Sequence, residues 1–118
     1  MEMMMAKRVK ILEIGEVEIW EEKLRILVSR YPAGGQVFVG LQVKESGEPY
    51  TDLSTNMRAH GAEVADDEVV IKTWSENEHV IEPMLQSGFF EDTGKRVPAG
   101  FAEAQIWRFK SAAHVPAP

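Results

Sequence analysis

Apolar residues recur mostly at every second position in this chain, the period of strands with one buried face. Val9, Ile11, Leu12 and Ile14 make a first short strand, and Gly15-Glu16 is expected to end it as a two-residue hairpin turn with glycine in its first position. The apolar phase then slips: Val17 and Ile19 are odd, Trp20, Leu24, Ile26 and Val28 are even, and Glu21-Glu22-Lys23 lies between them. A strand cannot change parity and keep its buried face without an extra residue, so a bulge or break is expected at this acidic patch. Tyr31 to Gly35, with Pro32, Gly34 and Gly35, is a turn. Val37, Val39, Leu41 and Val43 alternate with Phe38, Gly40, Gln42 and Lys44, which predicts a half-buried strand in which Gly40 marks a close backbone approach.

Glu45 to Pro49 turns the chain into a more polar strand, Tyr50 to Met57, followed by a polar connection from Arg58 to Asp67 and a short strand from Glu68 to Trp74. Ser75 with Glu78 matches a capping box, and Val80, Ile81, Met84 and Leu85 follow helical spacing up to Gly88, a left-handed stop. Pro83 deletes a hydrogen bond and clashes with the preceding turn, so a kink or restart is expected near Glu82. Phe89 to Gly100 reads as a turn-rich loop and Ala102 to Phe109 as the last strand. The order predicts an α+β fold: a mainly antiparallel sheet of about six strands with one helix packed on a face. A single domain over 1–118 follows, with residues 1–6 and 111–118 expected to fray.

Composition narrows the chemistry. The chain of 118 residues has no cysteine, which removes thiolate nucleophiles, disulfides and thiolate metal sites. The opening apolar stretch is too short for a signal peptide and its basic residues, Lys7 and Arg8, follow it, so a cytoplasmic protein is expected, without a membrane span. A net charge of -6 argues against direct nucleic-acid binding, which needs clustered Lys and Arg.

No motif fixes a reaction. His79 has Glu76, Glu78 and Glu82 at helical spacing, but one helix cannot supply a di-iron ligand set, and no metal or cofactor is expected. Gly88 to Arg96 fails as a phosphate loop: Arg96 stands where Ser or Thr should be, and no helix follows. Ser54, Thr55 and Ser75 lie in no nucleophile elbow. The acidic set Glu63, Asp66, Asp67, Glu68, Glu76, Glu78 and Glu82 is either a docking face for a basic partner or an ordinary solvated face. Trp20, Trp74 and Trp107 are expected in the core. No catalytic residue is assigned, and the candidate partner-binding residues are Glu76, Asn77, Glu78, Asp92, Lys95 and Arg96. For the last three, the plainer role is to return the chain to the sheet.

From Gly47 onward the chain resembles a family of small domains found in bacteria and on phages, plasmids and other mobile elements, some relatives of which are reported as anti-CRISPR proteins. The resemblance rests on Gly47-Glu48-Pro49-Tyr50, Leu53-Ser54-Thr55-Asn56-Met57, Glu68-Val69-Val70-Ile71-Lys72, Ser75-Glu76-Asn77-Glu78, Leu85, Gly88, Glu91-Asp92-Thr93-Gly94 and Val97-Pro98-Ala99-Gly100-Phe101. It implies a setting of mobile-element conflict with host defence; together with the acidity and the lack of catalytic groups, this leads to the expectation of an accessory protein, not an enzyme, that inhibits a bacterial defence complex, such as a CRISPR effector, by protein–protein binding. Two other readings stand beside it. One is a small-ligand or nucleotide-handling enzyme, with Ser54, Asn56, Asn77 and Asp92 converging at a sheet end. The other is a structural domain that pairs open sheet edges into a homodimer.

Overall fold

The computed structural model describes residues 10–57 and 63–117. The predicted fraying of residues 1–6 lies outside these residues. Seven antiparallel strands make two sheets, so the α+β expectation holds with one more strand than expected. β1 (Leu12–Ile19), β2 (Glu22–Arg30), β3 (Val37–Val43) and β4 (Pro49–Asp52) form the first sheet, in that order. In the second, β5 (Glu68–Ile71) and β6 (Phe90–Ala99) flank β7 (Ala102–Phe109). Between the sheets the chain leaves β4 and bridges β3 to β5: Leu53 N–H bonds Val39 O at 2.9 Å, and Thr55 N–H bonds Val70 O at 3.0 Å.

The core follows the alternation. Leu24, Ile26 and Val28 of β2 and Val37, Val39 and Leu41 of β3 face Val69, Ile71, Trp107 and Phe109 of the second sheet. The opposite parity, Val70, Ala104 and Ile106, buries a smaller cluster with Met57. The second sheet is therefore covered on both faces, and all four residues of β5 are buried.

The first turn is not at Gly15-Glu16. β1 continues through both residues, Gly15 opposite Ile26, and the hairpin closes at Trp20-Glu21, between the paired residues Ile19 and Glu22. The parity slip thus marks a turn, as the break at the acidic patch required. A bulge at Ile14 re-phases β1 so that Ile14 and Val17 both pack on the core. Gly15 serves packing, because a Cβ there would collide with the Phe89 ring. At Gly40 the close approach is likewise to a side chain, the Phe38 ring, and not to backbone.

Phe89 to Gly100 is not a loop either. Residues 90–99 form β6, which pairs with β7 on both sides of a wide bulge in which Thr93, Gly94 and Lys95 stand opposite Ile106 alone. β6 is an edge strand, so Pro98, which has no N–H, is tolerated there. The capping box does not form: Ser75 has φ of +60° and opens a 3-10 turn, Ser75–Val80, without a side-chain cap. α1 (Ile81–Gln86) continues from it, which puts Pro83 in the first α turn, where its missing N–H has no partner to lose. Gly88, at φ +89°, stops the helix as expected.

The segment expected to fray after residue 111 is docked. Ser111 caps a 3-10 turn (Ala112–His114), Val115 packs on the core, and Arg30 donates to Pro116 O at 2.9 Å. No helix among the described residues is long and apolar enough to cross a membrane.

Candidate functional site

Three elements meet beside the short edge strand β4: the β1–β2 turn, β4 itself and the 3-10 turn. Trp20 and Glu21 occupy the turn with φ of +54° and +66°. Both values lie in the left-handed region of a type I′ hairpin, which is normally filled by Asn-Gly. The conformation costs an L-residue about 1–2 kcal/mol, and here a tryptophan and a glutamate bear it. Trp20 is 75% exposed, yet its ring is stacked on His79 with centroids 3.9 Å apart and planes within 19°. His79 is in turn held by the Tyr50 hydroxyl, 2.8 Å from Nε2. Burial raises the pKa of the Tyr50 phenol, and the nearby Glu22 carboxylate raises it further.

Tyr50 also lines an open groove of about 650 Å³ with Tyr31, Asp52, Ser54, Asn56, Lys72 and Glu76. Burial raises the Tyr31 pKa too; its hydrogen bond to Ser54 opposes this and the Asp52 charge reinforces it. Both phenols are therefore neutral hydrogen-bonding groups near neutral pH. Lys72 and Glu76 are joined across the rim at 2.9 Å. The Ser54 hydroxyl accepts the Val39 N–H at 2.8 Å and meets the Tyr31 hydroxyl at 3.0 Å. Its partners tie β3 to the inter-sheet segment, so it carries no base-activated nucleophile geometry.

The structure separates the six predicted partner-binding residues. Glu76 and Glu78 are exposed on the 3-10 turn, beside the Trp20 stack. Asn77 is fully buried, which corrects its assignment to a contact surface. It accepts from Thr51 Oγ1 at 2.6 Å and donates to Asp52 O at 3.0 Å and Lys72 O at 2.9 Å, pinning the 3-10 turn to the edge of β4. Asp92, Lys95 and Arg96 lie on the β6 bulge, at the far edge of the second sheet. Arg96 clasps Asp92 with two bonds of 2.9 Å, and this bond is the main force that lowers the Asp92 pKa and raises that of Arg96. Lys95 reaches the buried Glu68 at 2.8 Å, and Arg108 reaches the same carboxylate at 3.0 Å. Burial would raise the Glu68 pKa, but the Lys95 and Ala65 hydrogen bonds and the Arg108 charge together bring it below the ordinary 4.5. The loop residues expected to meet a partner thus brace the bulge.

The convergence required for an enzyme around Ser54, Asn56, Asn77 and Asp92 does not occur. Ser54 and Asn56 line the groove, Asn77 is buried beneath its rim, and Asp92 is at the opposite edge. Among the described residues no group of three or more His, Asp or Glu could hold a metal ion. Of the three tryptophans, Trp107 is in the core and Trp74 packs on the smaller cluster, whereas Trp20 departs from the expectation. Its signal in the sequence was the parity slip, which placed a bulge or break at the acidic patch directly after this aromatic residue. No family model, curated protein or solved structure matches the chain.

Proposed function

We propose that this chain is a protein-binding module, an accessory inhibitor that occludes a bacterial defence complex in the manner the sequence resemblance implies, and that it docks through the Trp20 face. The supporting observation is the Trp20 ring, which is exposed to solvent yet held rigid by His79 and Tyr50. Rigid, exposed aromatic residues are the usual anchors of protein interfaces, because they bury a large area at small entropic cost. The neighbouring groove supplies polar groups for the rim of such an interface.

Plasmid-interference assays against several CRISPR types, run with wild type and Trp20→Ala, test the reading. Inhibition of at least one type by wild type, and its loss in Trp20→Ala with the melting temperature retained, is the expected result. No inhibition of any type, together with no partner recovered from host lysate, would end it.

A further inference from the structure

We propose that the Trp20 platform takes an arginine side chain from a basic segment of the partner protein, stacked on the open face of the indole and paired with the carboxylates around it. The proposal rests on the protein-binding reading and adds the chemistry of the contact. His79 covers one face of the indole, and the ring is still 75% exposed, so the opposite face is open. Among side chains, the indole has the strongest attraction for a cation placed over its ring.

Unpaired carboxylates gather around it. Glu21 and Glu22 come from the hairpin turn, and Glu78 and Glu82 flank His79 on the 3-10 turn and α1; all four are exposed. None forms an ion pair among the described residues, whereas Glu13, Glu16, Asp67, Glu68, Glu76, Glu91 and Asp92 all do. The lysines that could neutralise this side, Lys44 and Lys72, are held by Glu16 and Glu76. Lys23 and Arg25 line a groove with Glu21 and Glu22, Arg25 paired with Glu13 at 3.8 Å, so the acidic excess comes from Glu78 and Glu82 on the other side of the indole. Four carboxylates without ion-pair partners on the elements that carry the aromatic stack favour a cation there. The planar guanidinium fits it best, because it stacks on the ring and still offers its edge N–H groups to carboxylates, which an ammonium cannot do.

Titration calorimetry with the full chain and a capped peptide carrying several arginines, against the same peptide with lysines, tests the inference. Intrinsic fluorescence gives a second readout, since Trp20 is the exposed tryptophan and Trp107 is buried. The arginine peptide is expected to bind and to perturb Trp20 emission, and the lysine version to bind several-fold less tightly. Trp20→Ala should weaken binding by about tenfold or more, and Trp20→Phe by less. Replacing Glu21, Glu22, Glu78 and Glu82 by Gln leaves the aromatic stack in place and should also abolish most of the affinity. Equal binding of the two peptides, or binding unchanged in Trp20→Ala, would overturn the proposal. If Trp20→Ala loses defence inhibition while wild type ignores the arginine peptide, this inference falls and the docking reading stands. If Trp20→Ala keeps inhibition, docking through Trp20 falls first.

Discussion

Asn77 is one of six polar or charged residues between Lys72 and Glu78, a stretch broken only by Trp74, yet it has no exposed surface. Such burial is tolerable because its amide satisfies two carbonyls from different segments and its oxygen takes the Thr51 hydroxyl. Asn77→Ala would leave these groups unpaired away from water and should destabilise by about 2–3 kcal/mol in urea unfolding. Asn77→Asp keeps the shape but aims a carboxylate at the Asp52 and Lys72 carbonyls, and it should be worse than alanine. An aspartate variant as stable as wild type would contradict this account.

At the scale of elements, the β1–β2 hairpin shows a local choice overruled. Asn-Gly would suit its turn better than Trp20-Glu21. Glu21→Gly should relieve the left-handed strain at φ +66°, offset in part by the larger entropy glycine loses on folding. The expected net gain is about 0.5–1 kcal/mol, visible as a higher melting temperature, with the Trp20 stack kept. A lower melting temperature would show that Glu21 contributes something the geometry does not reveal. β6 makes the same point in reverse: its Asp, Gly and Pro residues favour turns, but Asp92 and Thr93 satisfy the bulge backbone and β7 pairs the rest.

For the whole molecule, acid sensitivity follows from Glu68, whose carboxylate joins β5, β7 and the β6 bulge. Its folded pKa lies below the ordinary 4.5, so its contribution to stability is fully present above that pH. The contribution is lost as pH falls through the folded value. Asp92 and Glu76, also lowered, act in the same direction. Glu68→Gln should therefore be less stable than wild type at neutral pH and should show a shallower loss of stability between about pH 5 and 3. Parallel acid limbs for the two proteins would remove Glu68 from this role. Lys95 belongs to the same network, so Lys95→Ala should lower stability over the same pH range.

What the sequence determined by itself was the rhythm of burial. The buried Val37, Val39 and Leu41 of β3, the bounds of the last strand, the helical stretch stopped by Gly88 and the break near Glu21 are all local patterns, and all appear in the fold. The tertiary structure decided the rest, because the deciding forces came from residues distant in the chain. Gly15 looked like a turn and is instead the gap that admits Phe89. The stretch from Phe89 to Gly100 looked like a loop, yet β7 supplies the partner that makes most of it a strand. Asn77 looked like a surface group until carbonyls from two other segments satisfied it. Trp20 was expected in the core because tryptophan usually gains most there. Only the folding of the hairpin against His79 left it outside, rigid and open on one face.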